Sequence, residues 1–159
     1  MRPLDEATFV AGQIDFNDLA EAARANVKVV VSHRTQGEDP NQPTSGEMAE
    51  MTAKAGMRYL EIPVSGLPDQ AAVLRTLEAM NSLSPGERIL LFCRSGMRST
   101  AAWAMAERLR GANADDLRAT ALAAGYDSLS AFIAAFSEQF GATPGEFFRL
   151  ARRGEQGRG

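Results

Sequence analysis

The chain has 159 residues, enough for one compact domain or for one domain with a small appendage. Its hydrophobic fraction of 45% and charged fraction of 23% are typical of globular proteins, and a net charge of -3 gives no basic surface for nucleic acids or anionic membranes. No apolar run approaches the roughly 20 residues that span a bilayer, and the N-terminus lacks the apolar stretch of a signal peptide. The single cysteine excludes an intrachain disulfide and suits a reducing compartment, so we predict a cytoplasmic protein.

Helical and strand patterns alternate along the first two thirds of the chain. Continuous apolar runs predict strands covered on both faces, and Pro63 ends a further strand. Thr44-Ser45-Gly46-Glu47 is a capping-box pattern that opens a helix. In chain order we predict a helix over 17–25, a strand over 27–31, a helix over 44–55, a strand over 58–62, a helix over 69–80, a strand over 88–92 and a helix over 99–110.

This alternation predicts an α/β domain over residues 1–110, with three layers around a central, mostly parallel sheet of four or five strands. Residues 111–159 carry only helical patterns, over 113–124, 128–140 and 143–153. We therefore predict a small C-terminal helical bundle as a second module, with a soft boundary near Gly111.

The loop between the last predicted strand and its helix reads Cys93-Arg94-Ser95-Gly96-Met97-Arg98-Ser99, a combination that favours anion chemistry. Backbone N–H groups of such a loop and of the first helical turn lack intrahelical partners, and the helix dipole adds partial positive charge. Gly96 permits a positive φ, and a guanidinium can fork onto a tetrahedral oxyanion. The same field favours the thiolate of Cys93, which is the reactive form.

A buried structural cysteine is the alternative interpretation, because free cysteines are among the most buried residues. Two arginines and a glycine within seven residues favour function instead. We predict Cys93 and Arg98 as the catalytic pair, and an anion-binding set made of Arg94, Ser95, Gly96, Met97 and Ser99.

Residues from about 9 to 110 resemble the beta-lactamase-hydrolase-like phosphatase family, small relatives of the dual-specificity protein phosphatases. The motifs that carry this resemblance are Gly12-Gln13-Ile14, Val29-Val30-Val31-Ser32-His33-Arg34, Gly37-Glu38-Asp39-Pro40-Asn41-Gln42-Pro43, Tyr59-Leu60-Glu61-Ile62-Pro63-Val64 and the Cys93 loop. The resemblance implies a protein tyrosine phosphatase-like fold and a phosphatase or sulfurtransferase activity. It also adds Arg34, which matches a family arginine, as a candidate anion-binding residue, with a solvated loop position as the equal alternative.

The length of the Cys93 loop departs from the phosphatase pattern. Protein tyrosine phosphatases space the cysteine and the arginine as Cys-x5-Arg, whereas Arg98 follows Cys93 as Cys-x4-Arg. That spacing resembles the loop of many rhodanese sulfurtransferases. A shorter loop encloses a smaller space, which suits a sulfane sulfur on the cysteine better than a phosphoryl group.

The acid that would protonate a leaving group is a second point of departure. Phosphatases of this kind place an aspartate on a neighbouring loop, and the one acid in the matching segment 63–69 is Asp69. Its position favours a helix cap over a general acid. Sulfur transfer through a persulfide needs no such acid.

Three other polar positions have a less specialised interpretation. His33, the only histidine, has no second histidine or cysteine nearby, so we predict neither a metal site nor a cofactor and interpret it as a loop residue. Glu38 and Asp39 fit a solvated polar loop better than the rim of the site. Ser99 is expected to cap the helix after the loop and to be able to hydrogen-bond the Cys93 sulfur.

Residues 124–144 resemble the second helix-turn-helix of AraC-type transcription regulators, although that family's DNA-binding unit is about twice as long. The candidate recognition helix over 128–140 contains no lysine or arginine, while phosphate contacts need basic side chains. We therefore favour a packing or oligomerisation module over nucleic-acid binding.

The sequence favours one function and leaves two alternatives. The favoured function is sulfane-sulfur transfer through a Cys93 persulfide, with Arg94 and Arg98 binding a thiosulfate-like donor. The second is a cysteine-dependent phosphatase acting on a phosphate ester, with Arg98 holding the phosphoryl oxygens. The third is a non-catalytic anion or sulfide sensor whose C-terminal helices contact DNA. In each case the expected partner is a small anion rather than a membrane.

Overall fold

The computed structural model describes residues 1–125. Within them it contains five strands and five helices. The strands are β1 (Arg2–Pro3), β2 (Thr8–Ala11), β3 (Val27–Ser32), β4 (Arg58–Glu61) and β5 (Arg88–Phe92). The helices are α1 (Phe16–Arg24), α2 (Ser45–Lys54), α3 (Gln70–Asn81), α4 (Met97–Leu109) and α5 (Ala114–Ala123).

The five strands form one sheet in the order β1-β2-β5-β3-β4. Every neighbouring pair is parallel except β1 with β2, which is antiparallel. The prediction of a mostly parallel sheet is confirmed. The sequence patterns missed β1 and β2, which span two and four residues.

Alternating residues of the central strands pack into two separate hydrophobic cores, so the sheet is covered on both faces. Val29, Val31, Ile89 and Leu91 belong to the core under α3, α4 and α5. Val30, Leu90 and Phe92 point to the other face and pack with Leu19 of α1 and Met48 of α2. The parts of a strand that are buried on both faces are apolar, which is why 29–31 and 89–92 read as continuous apolar runs, while Lys28 and Arg88 near the strand starts are exposed or partly exposed.

Two predicted helix starts agree with the structure. Thr44 and Glu47 form the predicted capping box of α2. Asp69 caps α3 by accepting a hydrogen bond from the Ala72 N–H at 2.7 Å. Caps of this kind depend on local sequence alone, so the sequence predicts them well.

The start of α4 differs from the prediction. The helix begins at Met97, and its N-cap residue is Gly96, with φ 95° and no side-chain cap. Ser99 therefore lies in the first turn and does not cap the helix. A left-handed residue turns the chain sharply enough for the helix to start inside the Cys93 loop, and glycine adopts that conformation at no steric cost.

Leu117 and Ala121 of α5 are buried in the same core as the sheet and α4. The predicted helices over 128–140 and 143–153, and most of the segment that resembles AraC-type regulators, lie outside the described residues. No helix within residues 1–125 is long and apolar enough to cross a membrane.

Candidate active site

The carboxyl ends of four parallel strands meet at one edge of the sheet, and the residues that follow them form the candidate site. Gln13 follows β2, His33 and Arg34 follow β3, Val64 follows β4, and Cys93 follows β5. Open parallel sheets commonly bind ligands at this edge. The topology thus brings together residues that are as much as 80 positions apart in the chain.

Cys93 lies at the base of its loop and is fully buried. Its backbone N–H donates to the Ala11 carbonyl at 3.3 Å, which ties the loop to β2. Its Sγ accepts a hydrogen bond from the Gly96 N–H at 3.0 Å. The loop amide therefore points at the sulfur, as the sequence predicted.

Gly12 allows the neighbouring chain to approach the Cys93 loop closely. The next residue, Gln13, donates its backbone N–H to the Arg94 carbonyl at 3.2 Å. A Cβ on Gly12 would lie 2.9 Å from that carbonyl oxygen, closer than side chains pack. This contact explains why a glycine fits the first of the motifs that carry the family resemblance.

The Arg98 guanidinium is fixed by acceptors from three directions. Its Nη1 donates to the carbonyl oxygens of Val64 at 2.7 Å and His33 at 3.4 Å. Nη1 and Nη2 also donate to the two carboxylate oxygens of Glu38, at 2.5 and 2.9 Å. Glu38 and, more weakly, the charge of Cys93 raise the pKa of Arg98.

A guanidinium has two hydrogen-bonding edges. Glu38 occupies the Nη1/Nη2 edge of Arg98. Arg98 Nε, on the other edge, meets no oxygen acceptor among residues 1–125, and the nearby Cys93 sulfur adds to the raised pKa of Arg98. Arg98 can therefore donate hydrogen bonds to an oxyanion beside Cys93 while it stays anchored to Glu38.

Glu38 accepts hydrogen bonds from several groups of the site and is not a solvated loop residue. Besides Arg98, its carboxylate accepts from Arg34 Nε at 2.9 Å and from the Thr35 N–H at 2.9 Å. These donors, with Arg98 the largest contributor, hold the pKa of Glu38 well below its usual range. Glu38 therefore stays ionised well below the pH at which a solvated glutamate takes up a proton.

Asp39 bridges two arginines at the mouth of the site. It lies 2.6 Å from Arg34 Nη2 and 3.3 Å from Arg94 Nε. Arg34 also donates to the Gln13 side chain at 2.7 Å. The Arg34 side chain is 3% exposed and that of Arg94 is 69% exposed, so Arg34 is structural in position and Arg94 faces solvent.

The predicted site residues are thus partly brought together. Cys93, Gly96 and Arg98 form one group, and Arg34 and Arg94 reach it through the two acids at 38 and 39. Ser95 lies in the loop and is exposed, and Met97, the first residue of α4, is partly exposed. Ser99 is fully buried, and its hydroxyl lies 2.8 Å from His33 Nδ1. Asp69 is committed to the cap of α3.

Three interpretations made from the sequence need correction. Glu38 and Asp39 belong to the site, and His33 is a fully buried residue rather than an exposed loop residue. The polar sequence around these three residues gave no indication that they would be buried or ion-paired. One signal was present: two acids following an arginine by four and five residues predict ion pairs when that arginine is buried.

The sequence model of the beta-lactamase hydrolase-like protein, phosphatase-like domain, matches residues 1–110. A beta-lactamase hydrolase-like protein from Xylella fastidiosa is 26% identical over 125 residues, which cover 78% of this chain and 29% of that protein. One from Agrobacterium fabrum is 28% identical over 108 residues, covering 68% and 25%. The chain thus spans less than a third of the length of these curated relatives.

Among solved structures, a phosphatase-like protein from Neisseria meningitidis superposes with a TM-score of 0.69 at 22% identity, over 77% of this chain and 87% of that one. Likeness at that identity establishes the fold, and it confirms the predicted phosphatase-like architecture. Together with the match over residues 1–110, it shows that this chain belongs to the family of beta-lactamase hydrolase-like, phosphatase-like domains.

Proposed function

We propose that this chain is a cysteine-dependent phosphoester hydrolase, with Cys93 as nucleophile and Arg98 as the phosphoryl-binding residue. The observation that supports this most directly is the anchoring of Arg98 by Glu38, which leaves the Nε/Nη2 edge available beside the buried sulfur. The Gly96 N–H is a second donor at the same place. Membership of a phosphatase-like family agrees with this chemistry.

The proposed reaction has two displacement steps at phosphorus. The Cys93 thiolate attacks, so that an S–P bond forms and the P–O ester bond breaks, and the alkoxide or phenoxide leaves with the electron pair. Water then attacks the phosphocysteine, releasing inorganic phosphate and the thiolate. Because Asp69 caps α3 and is engaged there, we expect aryl phosphates, whose leaving groups need no proton, to react best.

Sulfane-sulfur transfer is the second candidate, favoured by the Cys-x4-Arg spacing and by the engagement of Asp69 in a cap. In this reaction the thiolate attacks the outer sulfur of a thiosulfate-like donor. An S–S bond to Cys93 forms, the S–S bond of the donor breaks, and sulfite leaves with the electron pair.

Two assays of the same protein separate the candidates: the release of 4-nitrophenolate and the intact mass. The protein is exposed to 4-nitrophenyl phosphate or to thiosulfate, with Cys93→Ser as control. Release of 4-nitrophenolate that Cys93→Ser abolishes supports the phosphatase. A gain of one sulfur atom, lost on reduction and absent from Cys93→Ser, with no ester turnover, would overturn it in favour of sulfur transfer.

A further inference from the structure

One edge of the buried Arg34 guanidinium binds both acids of the site. Arg34 Nε donates to Glu38 Oε2 at 2.9 Å, and Arg34 Nη2 donates to Asp39 Oδ2 at 2.6 Å. Arg34 Nη1, on the other side, donates to the Gln13 side chain at 2.7 Å. Because these bonds fix a planar guanidinium that is buried, they also fix the two carboxylates side by side.

Each of these two acids also binds one arginine of the Cys93 loop, through the same oxygen atom that binds Arg34. Glu38 Oε2 accepts from Arg98 Nη2 at 2.9 Å. Asp39 Oδ2 lies 3.3 Å from Arg94 Nε. Since a single guanidinium edge sets the spacing of the two oxygens, Arg98 and Arg94 are fixed as close neighbours in space.

The two arginines are anchored by opposite ends of their guanidinium groups. Glu38 accepts from Nη1 and Nη2 of Arg98, which lies near the Cys93 sulfur. Asp39 pairs with Nε of Arg94, and Nη1 and Nη2 of Arg94 meet no acceptor among residues 1–125. The Arg94 side chain is exposed at the mouth of the site. A second anion-binding edge is therefore open to solvent beside the one at the sulfur.

The main chain of Arg94 is fixed as well as its side chain. Its carbonyl oxygen accepts the Gln13 N–H at 3.2 Å, while Asp39 holds the other end of the residue. A long side chain that is free in solution loses conformational entropy when it binds a ligand, and this loss weakens binding. Anchors at both ends reduce that loss, so Arg94 is suited to ligand binding.

We propose that Arg94 is a specificity-determining residue that binds a second anionic group of the substrate, while Arg98 binds the phosphoryl group at Cys93. The substrate class is a small phosphate monoester that also carries a carboxylate or a second phosphoryl group, since a guanidinium edge binds either. This inference rests on the proposed function and adds the substrate class to it. An ester such as 4-nitrophenyl phosphate lacks the second group and makes little use of Arg94.

Calorimetric titration of the Cys93→Ser protein tests the proposal, because this variant lacks the nucleophile and binds esters without consuming them. The probes are 3- and 4-carboxyphenyl phosphate, each compared with its carbamoyl counterpart, which has the same shape and lacks the second charge. Hydroquinone bisphosphate is the probe with a second phosphoryl group. The quantity of interest is the ratio of the dissociation constants of a charged probe and its neutral counterpart, with and without Arg94→Gln.

Arg94→Gln should reduce the preference for at least one carboxylate probe over its carbamoyl counterpart by roughly 3- to 20-fold, between the effects of an exposed ion pair and of a buried charge-assisted hydrogen bond. Electronic differences between the two probes cancel, since both proteins meet the same pair. Arg58→Gln is the matched control and should leave the preference unchanged. It removes the same charge from an exposed position at the start of β4, at the opposite edge of the sheet. A larger loss for the bisphosphate than for the carboxylates would identify a phosphoryl group as the preferred second anion.

An equal change in affinity for the charged and neutral probes in Arg94→Gln, or no change, would overturn the second-anion role. Failure of the Cys93→Ser protein to bind any of these esters would overturn it too. Hydrolysis of the carbamoyl ester by the protein with Cys93 intact tests the proposed function separately, because that probe has no second charge. Preserved binding with the expected dependence on Arg94, but without hydrolysis, would overturn the phosphatase activity alone.

Discussion

Glu38 holds the end of the Arg98 guanidinium by two hydrogen bonds, across 60 positions of the chain. The pair lies in the site rather than on the surface, since both side chains are less than a fifth exposed. Replacing a partner of such a pair leaves the other charge without its counterion, which costs more than the loss of an exposed ion pair. Arg98 therefore depends on the loop before α2 as much as on its own helix.

Glu38→Gln should lower kcat/KM for an aryl phosphate by roughly 10- to 100-fold, the loss expected when a charge-assisted hydrogen-bonded pair is reduced to a neutral one. Glu50→Gln is the matched control, because Glu50 forms an exposed ion pair with Lys54 on α2. Steady-state kinetics of both variants provide the comparison. Equal kcat/KM values would show that Arg98 does not need its anchor.

Arg98→Lys should lower kcat/KM by 100-fold or more, whereas Arg94→Lys should lower it less than about fivefold. A lysine cannot hold Glu38 and an oxyanion at once through two planar edges. Arg94, by contrast, is 69% exposed and makes one longer ion pair. The same substrate at the same ionic strength serves for both variants. A larger loss for Arg94→Lys would transfer the anion-binding role to that residue.

Gly12→Ala should destabilise the protein by about 1–3 kcal/mol, since its Cβ would lie 2.9 Å from the Arg94 carbonyl and force the backbone of the loop to shift. Gly46→Ala is the control: the nearest atom outside its own helix is 4.0 Å away, and alanine favours the helix. Urea unfolding of the two variants measures the difference. If Gly12→Ala left the free energy of unfolding unchanged, the two chain segments would be able to separate without cost.

Asp69→Asn should leave turnover and its pH profile unchanged, because asparagine caps a helix as well as aspartate does. Asp69→Ala should cost about 1 kcal/mol of stability through loss of the bond to the Ala72 N–H. If Asp69 were the general acid, the asparagine variant would lose turnover most for substrates with poor leaving groups. Alkyl and aryl phosphates tested side by side distinguish these results.

The buried His33 should make stability depend on pH. The unfolded chain binds a proton at His33 with a pKa near 6.5, while the folded protein resists it until about 3. The unfolded state therefore binds more protons in this window, and stability falls as pH falls below about 6.5. His33→Asn should reduce this slope by up to about 1 kcal/mol per pH unit.

Unfolding by urea from pH 7 to pH 5 measures that slope. The pKa of Glu38 is also depressed, but the stability that Glu38 contributes is lost only as the pH falls through and below the ordinary glutamate pKa of 4.5, so the two windows are separable. An unchanged slope in His33→Asn would show that the histidine takes up its proton in the folded state.

The features that could be predicted from the amino-acid sequence are those that depend on neighbouring residues. The apolar runs over 29–31 and 89–92 predicted β3 and β5, because the parts of a strand that are covered on both faces are apolar. Thr44 and Asp69 predicted the starts of α2 and α3, because a cap is completed within four residues. The Cys93 loop was visible because its charge and its glycine lie within seven consecutive residues.

The distant side chains that meet that loop could be identified only from the folded structure. Parallel strands bring the carboxyl ends of β2, β3, β4 and β5 to one edge, and the residues beyond those ends have no local pattern that reports the meeting. The sequence predicted that Glu38 was a solvated loop residue, whereas the fold places it against Arg98. It predicted that His33 was a loop residue, whereas the fold places it between Ser99 and Thr76. Ion pairs and buried hydrogen bonds are set by distance in space, which short-range sequence patterns do not encode.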